Sequence, residues 1–311
     1  MTQRPIAVLV DSGSLVVDEA AVPPGWAFCV SDGIPTGPNI VALAVNPACG
    51  RVDRSHLRDL PDLRMVFTTS AGTDHLDLDA AAEFGIEVIN NPAYCVDEVA
   101  DHTIALILGS LRRTHHFDRA VHQGRWDNGA VLPRRVAGTR LGLWGFGAIG
   151  RAVARRALAL DMEVIVHSRT DTTGDSSIRW VDRDELIGSS EVLSLHVPLT
   201  DMTRGLMDDS TFRRMRPGSY LINVSRGELV DEDALARHLE SGHLAGAALD
   251  VLVQEPPVDP CALLGAAGAV VTPHVAWMSP DSVTKPFEQF VALLSDIDVS
   301  LDAHAVTGMV R

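Results

Sequence analysis

The sequence predicts an α/β protein of two domains built on open parallel sheets. Three observations support this prediction. The chain has 311 residues, of which 46% are hydrophobic, enough to fill more than one core. Short apolar runs alternate with helical patterns along the whole sequence, as they do where crossover helices join parallel strands. A glycine-rich turn between a strand and a helix follows only after a domain's worth of predicted strands.

The first hundred residues predict a small sheet followed by a long helix. Four short apolar runs are predicted as strands: Val8–Val10, Ile40–Val45, Met65–Thr68 and Val88–Asn90. A helix is predicted from Ala93 to Arg113, because apolar residues recur at helical spacing between Val99 and Leu111. Tyr94 and Cys95 are expected to start it. Residues 123 to 140, rich in Gly, Pro and Arg, are predicted to connect this helix to the next strand.

The glycine-rich turn lies between the strand Arg140–Trp144 and the helix Arg151–Ala159, and the strand Glu163–His167 follows. In this pattern the first glycine permits the bend, the second lets the backbone approach a pyrophosphate, and the third lets the helix pack closely. The N-terminus of the helix offers unpaired N–H groups to phosphates. The sequence therefore predicts a Rossmann-type, doubly wound dinucleotide fold. Five residues of the turn are expected to bind the cofactor: Gly145, Gly147, Ala148, Ile149 and Gly150.

The residues after the second strand of this unit indicate which dinucleotide is used. An acid usually stands there and accepts hydrogen bonds from the adenosine ribose. Here His167 is followed by Ser168, Arg169 and Thr170. An arginine with two hydroxyl groups suits a 2′-phosphate, so these three residues predict a preference for NADP(H). NAD(H) is the alternative, in which Arg169 is a solvated loop residue.

Composition excludes several classes of partner. The net charge of −15 argues against a nucleic acid, whose binding depends on basic residues. Four cysteines stand without the spacing of a metal site: Cys29, Cys49, Cys95 and Cys261. The chain enters a strand within ten residues of Met1, and no apolar run is long enough to cross a membrane. We therefore expect a cytoplasmic protein with no metal.

Polar residues follow each of the later strands. These strands are predicted at Val192–Val197, Tyr220–Val224, Gly246–Asp250 and Val270–Thr272. Open parallel sheets bind ligands at the carboxyl ends of their strands. One arginine, one acid and one histidine are therefore expected to converge on a single crevice: Arg226, Glu255 and His274.

The order of these motifs resembles the D-isomer-specific 2-hydroxyacid dehydrogenase family, and within it the glyoxylate/hydroxypyruvate reductases. Five segments carry the resemblance: 145–150, 196–200, 223–227, 255–257 and 272–276. Residues 70–74 and 91–94 are also similar to motifs of that family's substrate domain, so the resemblance covers nearly the whole chain. It implies a flavodoxin-like substrate domain, residues 1–98 plus 281–311, into which a dinucleotide domain, residues 99–280, is inserted. It also implies an active site in the cleft between them and a homodimer, with residues 115–140 contributing.

The resemblance implies roles that the chemistry of the residues supports. Arg226 would bind the carboxylate of a 2-oxo acid through two hydrogen bonds. His274 would exchange the proton of the hydroxyl group, and Glu255 would hold its tautomer and stabilise its charged form. Further substrate contacts are expected from Ser70, Ala71, Gly72 and Trp277, although Trp277 could equally pack within the protein. Further cofactor contacts are expected from His196, Pro198, Thr203, Val224 and Asp250.

The activity implied is NADPH-dependent reduction of a 2-oxo acid to a D-2-hydroxy acid, with glyoxylate or hydroxypyruvate as the default substrate. One alternative is an NAD-dependent dehydrogenase of a phosphorylated or phosphonate 2-hydroxy acid, because Arg54, Arg134 and Arg135 could reach a second anionic group. A non-enzymatic alternative also stands. Residues 94–101 are similar to a segment of corepressors of this fold that sense a dinucleotide.

Overall fold

The computed structural model describes residues 4–126, 132–169, 177–258 and 261–297. The chain divides into two compact units. One comprises Met1–Cys95 and Met278–Arg311, and the other comprises Val96–Trp277. Each is built on its own parallel sheet, which confirms the predicted α/β class.

The described residues of the first unit form five strands: β1 (Ile6–Val10), β2 (Ala27–Ser31), β3 (Ile40–Val45), β4 (Met65–Thr68) and β5 (Glu87–Ile89). Its helices are α1 (Arg54–Arg58), α2 (Leu78–Glu83) and the C-terminal α10 (Lys285–Asp296). All strands are parallel, in the order β2-β1-β3-β4-β5. This is the flavodoxin-like order that the family resemblance implied.

Alternate residues of the central strands face opposite layers of the first unit. Ala7 and Leu9 belong to the apolar cluster that includes Phe290 of α10, whereas Val8 and Val10 belong to the cluster on the side of α1 and α2. Successive side chains of a strand point to opposite faces. Strands covered on both faces are therefore apolar throughout.

Within the described ranges, the second unit has seven strands: β6 (Arg140–Trp144), β7 (Glu163–His167), β8 (Ile178–Trp180), β9 (Val192–Leu195), β10 (Tyr220–Asn223), β11 (Gly246–Leu249) and β12 (Ala269–Val271). Its helices are α3 (Val96–Arg112), α4 (Thr114–His122), α5 (Ala148–Ala159), α6 (Arg183–Ser189), α7 (Asp209–Arg214), α8 (Glu232–Glu240) and α9 (Ala262–Gly265). The strand order is β12-β11-β10-β9-β6-β7-β8, all parallel. The sheet therefore grows in opposite directions from β6 and β9, and this switch point is where a doubly wound fold binds its ligand.

Two cores lie on opposite faces of this sheet. One is formed with residues of α3 and α5, including Ile107 and Val153, and the other with residues of α6, α7 and α8, including Phe212 and Leu235. The helices of the second face begin at aspartates whose carboxylates accept N–H bonds from the first turn: Asp182, Asp208 and Asp231.

Some predicted boundaries were wrong. The long helix begins at Val96, so Tyr94 and Cys95 lie in the turn before it. The helix after the glycine turn begins at Ala148, within the motif itself. Strand β9 ends at Leu195, which places His196 on the loop just beyond the strand. The edge strands β2 and β8 were not predicted.

Candidate active site

The glycine turn 145–150 combines tight packing with open space. Gly145 has a φ of +101°, and a Cβ atom there would lie 2.3 Å from the carbonyl oxygen of His196. A Cβ atom at Gly150 would lie 2.6 Å from the carbonyl oxygen of Gly145. Beside Gly147, by contrast, a Cβ atom would meet nothing within 4 Å. The first and third glycines are therefore required by packing within the protein, and the second borders open space.

This open space lies at the N-terminus of α5. Gly147 is the N-cap, and no side chain caps the helix there. The N–H groups of Ala148, Ile149 and Gly150 have no partner within the helix, since the first turn of any helix lacks them. A 12-residue helix with a free first turn and room beside it fits a pyrophosphate group.

The carboxyl end of β7 lies against the same turn. The N–H of Gly145 donates to the carbonyl oxygen of His167, at 2.8 Å. Ser168 and Arg169 follow directly, the first half-buried and the second exposed. No hydrogen bond or ion pair joins Arg169 to another residue that the structure describes. Thr170, predicted to bind with them, lies outside the described residues.

His196 lies on the other side of the turn, at the end of β9. Its Nε2 is 2.9 Å from the hydroxyl oxygen of Ser194. Its Nδ1 is buried and has no hydrogen-bond partner among the described residues. Burial lowers the pKa of His196 to about 4, so its ring is neutral at neutral pH. A buried nitrogen without a partner beside the glycine turn fits the predicted contact with a dinucleotide.

Two other predicted cofactor residues lie in the loop after His196. The Thr203 hydroxyl donates to the carbonyl oxygen of Pro198 at 2.7 Å and accepts the N–H of Thr200 at 2.8 Å. Thr203 therefore closes this loop through its side chain.

Arg226 is held in place by the turn after β10. The buried Asn223 donates through Nδ2 to the carbonyl oxygen of Arg226, at 2.7 Å, and accepts the N–H of Ser225, at 3.0 Å. The Ser225 hydroxyl donates to the carbonyl oxygen of Leu195, at 2.8 Å, which ties this turn to the end of β9. Val224 lies within the same turn. The half-buried Arg226 side chain is thus based at the carboxyl edge of the sheet.

Glu255 and His274 form a hydrogen-bonded pair. The Nδ1 atom of His274 lies 2.7 Å from Oε2 of Glu255, and Oε1 of Glu255 accepts the N–H of Leu252 at 2.9 Å. Burial raises the pKa of Glu255, but the bonds from His274 and Leu252 and the charge of Arg226 outweigh it and hold that pKa below its usual value. Because Nδ1 is taken by the carboxylate, Nε2 of His274 is the ring nitrogen available to a ligand. The structure therefore brings the predicted arginine, acid and histidine together.

The loop that carries His274 is organised by Asp250. This carboxylate is 1% exposed and accepts the N–H groups of Val275 and Ala276, at 3.0 and 2.8 Å, and the hydroxyl of Thr272, at 2.5 Å. The main-chain oxygen of Asp250 accepts the N–H of His274, at 2.8 Å. Asp250, which we expected to contact the cofactor, thus binds the loop of His274 with both carboxylate oxygens.

Two further side chains support this loop. His102 of α3, which sequence reasoning missed, has its Nε2 3.1 Å from the hydroxyl of Thr272 and 3.6 Å from Asp250. Trp277 donates through Nε1 to the carbonyl oxygen of His274, at 3.0 Å. His274 itself has a φ of +54°, an uncommon conformation for a residue with a side chain. The surrounding bonds hold it there.

Residues 104–276 match the family model "D-isomer specific 2-hydroxyacid dehydrogenase, NAD binding domain". The chain belongs to this family. The match confirms the expected family and enzyme class: the protein is an NAD(P)-dependent 2-hydroxyacid dehydrogenase.

Individual relatives agree with this assignment. The dehydrogenase is 39% identical to an (S)-sulfolactate dehydrogenase of Chromohalobacter salexigens over 236 residues, 75% of this chain and 76% of that protein. It is similar to the crystal structure of a glyoxylate reductase from Paecilomyes thermophila, with a TM-score of 0.85, 28% identity and 95% of each chain covered. It is also similar to an NADPH-dependent glyoxylate/hydroxypyruvate reductase of Sinorhizobium meliloti in complex with NADP and malonate, with a TM-score of 0.82, 29% identity, and 94% of this chain and 93% of that chain covered.

The predicted substrate loop of the dehydrogenase lies in the first unit, after β4. The Ser70 hydroxyl donates to the carbonyl oxygen of Gly72 at 2.9 Å, and Asn90 donates through Nδ2 to the carbonyl oxygen of Ala71 at 2.8 Å. The N–H of Asn91 donates to the carbonyl oxygen of Ser70, at 2.9 Å. None of these bonds uses the N–H groups of Ala71 and Gly72. Sequence reasoning missed Asn90, whereas Asn91 lies in the segment 91–94 that resembles a motif of the family's substrate domain.

Two of the arginines suggested for a second anionic group serve other contacts. Arg134 of the dehydrogenase donates to the carbonyl oxygen of Gly218, at 2.7 Å, and lies over the ring of Tyr220. These residues are at the amino end of β10, opposite the edge that carries Arg226. Arg54 pairs with Glu83 at 2.8 Å. Arg134 thus already has partners at the amino end of β10, and Arg54 already has a carboxylate partner.

No helix in the described ranges is long and apolar enough to span a membrane. In the same ranges, no three histidine, cysteine or acidic side chains are grouped so that they could hold a metal ion.

Proposed function

We propose that this enzyme reduces a small 2-oxo acid to the D-2-hydroxy acid, with NADPH as its preferred cofactor. The observation that carries the proposal is the hydrogen bond between Glu255 and His274, with the charge of Arg226 acting on the same carboxylate. This arrangement combines a group that binds an anion with a group that delivers a proton.

Each side chain has a distinct task in the proposed reaction. The guanidinium of Arg226 binds the substrate carboxylate through two parallel hydrogen bonds. A bound nicotinamide dinucleotide supplies the hydride that reduces the keto carbon. Protonated His274 donates from Nε2 to the substrate oxygen as negative charge develops there, and Glu255 stabilises the imidazolium. In the reverse direction, neutral His274 accepts the hydroxyl proton.

The remaining substrate contacts are assigned by chemistry. The N–H groups of Ala71 and Gly72, in the loop shaped by Ser70, suit the substrate carboxylate. Trp277 is proposed as an apolar wall for the substrate side chain, because its indole is tied to the His274 loop through the bond from Nε1 to the carbonyl oxygen of His274.

The glycine turn is proposed to hold the pyrophosphate through main-chain N–H groups, with His196, Pro198, Thr203, Val224 and Asp250 along the rest of the dinucleotide. The preference for NADPH is inferred from Ser168 and Arg169, which stand at the end of β7 without an acid. The NADPH-dependent relative from Sinorhizobium meliloti, whose structure holds NADP, supports this choice.

The cofactor preference is tested by Arg169→Ala. Loss of a charge-assisted hydrogen bond to a 2′-phosphate should raise KM for NADPH by about tenfold or more and leave KM for NADH unchanged. Arg155→Ala, which removes an exposed arginine from α5, is the matched control. Equal changes with the two cofactors would contradict the assignment of Arg169.

Glyoxylate and hydroxypyruvate are the proposed substrates, in line with the names of the two structural relatives. A 2-oxo acid with a second anionic group is the other candidate, because a relative at 39% identity is named (S)-sulfolactate dehydrogenase. Arg135, the third arginine suggested for such a group, is exposed in the structure.

A panel of 2-oxo acids, assayed with NADPH and NADH side by side, tests the reaction itself. It should include glyoxylate, hydroxypyruvate, pyruvate, sulfopyruvate and phosphonopyruvate. His274→Ala should lower kcat by at least about a hundredfold while NADPH still binds, and Arg237→Ala, which removes an exposed arginine of α8, serves as control. Tight NADPH binding without turnover of any oxo acid would instead favour a dinucleotide sensor.

We also propose a homodimer formed through the second unit and a cytoplasmic location. Two large apolar side chains beyond α4 are strongly exposed, Trp126 at 91% and Leu132 at 80%. Residues 127–131 of the expected contact segment lie outside the described residues. Light scattering in solution tests this assembly.

A further inference from the structure

The loop that presents Glu255 to His274 is held by a second carboxylate, that of Glu232. Its Oε1 accepts the N–H of Val253 at 2.7 Å. The adjacent N–H, that of Leu252, is bound at 2.9 Å by Glu255 itself. Two consecutive amides of one loop are therefore fixed by two different acids, and only one of these acids touches the histidine.

Glu232 binds this loop from a well-anchored position at the start of α8. It is the first residue of α8, whose N-cap Asp231 accepts the N–H of Ala234. The N–H of Asp231 in turn donates to the carbonyl oxygen of Met207, at 3.0 Å. Asp231, directly before Glu232, is thus held by two hydrogen bonds, and the side chain of Glu232 reaches the loop from this fixed position.

The loop also rests directly on the main chain beside Arg226. A Cβ atom at Gly227 would lie 2.0 Å from the carbonyl carbon of Leu252 and 2.3 Å from the nitrogen of Val253. Only glycine leaves room for this contact. The loop is therefore confined between the turn of Arg226 on one side and the carboxylate of Glu232 on the other, so a small displacement of Val253 would carry Glu255 with it.

The half-buried carboxylate of Glu232, which binds the N–H of Val253, is surrounded by other acids. Burial raises the pKa of Glu232, as do the negative charges of Asp233, Glu255 and Glu228, while the bond from Val253 lowers it. Glu255 is also influenced by the positive charge of Arg226 and is hydrogen-bonded to His274. The negative charge of Glu232 close to that of Glu255 is unfavourable, so the hydrogen bond from Val253 is needed to keep the Glu232 carboxylate in this position.

We propose that Glu232 is a positioning residue for the Glu255–His274 pair: by binding the N–H of Val253 it fixes the loop from which Glu255 reaches His274. Glu232 itself is not proposed to touch substrate or cofactor. This inference rests on the proposed function, because it assigns His274 and Glu255 their catalytic tasks.

The test compares four proteins: wild type, Glu232→Asp, Glu232→Gln and Asp233→Asn. The shorter aspartate keeps the charge and the helix start but cannot span the distance to Val253. Glutamine keeps an acceptor oxygen at the right length. Asp233→Asn removes a neighbouring exposed charge with no bond to the loop.

In the full-length enzyme we expect Glu232→Asp to lower kcat by about tenfold, the size expected for losing a bond to a charged group. KM for the oxo acid and for NADPH should stay within about threefold, since neither ligand is bound by Glu232. Glu232→Gln should restore most of kcat, and Asp233→Asn should match wild type. Equal impairment of the Gln and Asp variants would overturn the proposal.

A readout independent of turnover separates this inference from the proposed function. The ring ¹⁵N shifts of His274 in the ligand-free protein report which nitrogen carries the proton when the ring is neutral. A firm bond to Glu255 favours the Nδ1–H tautomer, and Glu232→Asp should shift the population toward Nε2–H and speed hydrogen exchange at Val253. An unchanged tautomer and unchanged exchange would refute the role of Glu232, whereas absence of turnover in wild type would refute only the proposed function.

Discussion

The ring of His274 is positioned by hydrogen bonds that hold the main chain of His274 and of the two residues after it. Asp250 accepts the N–H groups of the two residues after His274 through its side chain, and that of His274 through its carbonyl oxygen. A loop with a residue at a φ of +54° keeps that conformation only when its surroundings determine it. One buried carboxylate thus holds the loop that carries the histidine we propose as the proton donor.

His196 provides a pH test at the same scale. Its folded pKa of about 4 lies below the ordinary value of 6.5, so the unfolded chain takes up a proton first as the pH falls. The contribution of the neutral ring to stability is complete above pH 6.5 and declines between pH 6.5 and 4. We expect the free energy of unfolding to fall by up to about 3 kcal/mol from this residue. Urea unfolding at several pH values, with His196→Gln as comparison, measures it; an equal slope in the variant would contradict the assignment.

At the scale of elements, the turn from β6 into α5 contains one glycine that stability requires, Gly145, and one that we expect cofactor binding to require, Gly147. Gly147→Ala should leave stability within about 0.5 kcal/mol, because its Cβ atom would meet no protein atom within 4 Å. It should weaken NADPH binding, since the methyl group would occupy the open space beside the helix N-terminus. Thermal unfolding and fluorescence titration measure the two effects. Gly145→Ala is the contrasting variant: its Cβ atom would strike His196, so it should destabilise the fold. Unchanged NADPH affinity in Gly147→Ala would contradict the phosphate site.

How much of each element could be predicted depended on its burial. Strands β3, β4, β6 and β7 were predicted at their observed limits because each is a nearly continuous apolar run. The edge strand β2 was not predicted, although Ala27–Val30 is also an apolar run; in the structure none of its residues is buried. The arginine, acid and histidine of the site could be predicted because each follows a strand end. The contacts of His102, Asn90 and Glu232 could not, since they depend on bonds between neighbouring segments that no residue pattern marks.

On the scale of the whole molecule, the first unit depends on both ends of the chain. Phe290 of α10 is fully buried and stacks on Phe67 of β4, with ring centroids 5.9 Å apart. Phe290→Ala should lower the stability of this unit by about 3–5 kcal/mol. In calorimetry the transition of the first unit should move down, and Phe212→Ala should move that of the second. If both variants shift a single shared transition, the units unfold together and the separate assignment is wrong.

The pairing of α10 with the first sheet also has a consequence for synthesis on the ribosome. Trp26 donates through Nε1 to the carbonyl oxygen of Leu294, a bond that spans 268 residues. One face of the first sheet therefore stays without its covering helix until the entire second unit has been translated. The dinucleotide-binding unit, which is continuous in the chain, can fold before α10 has been synthesised and has covered the strands of the first sheet. The first sheet is thus completed only after the second unit has been synthesised, and in that interval one of its apolar faces is exposed.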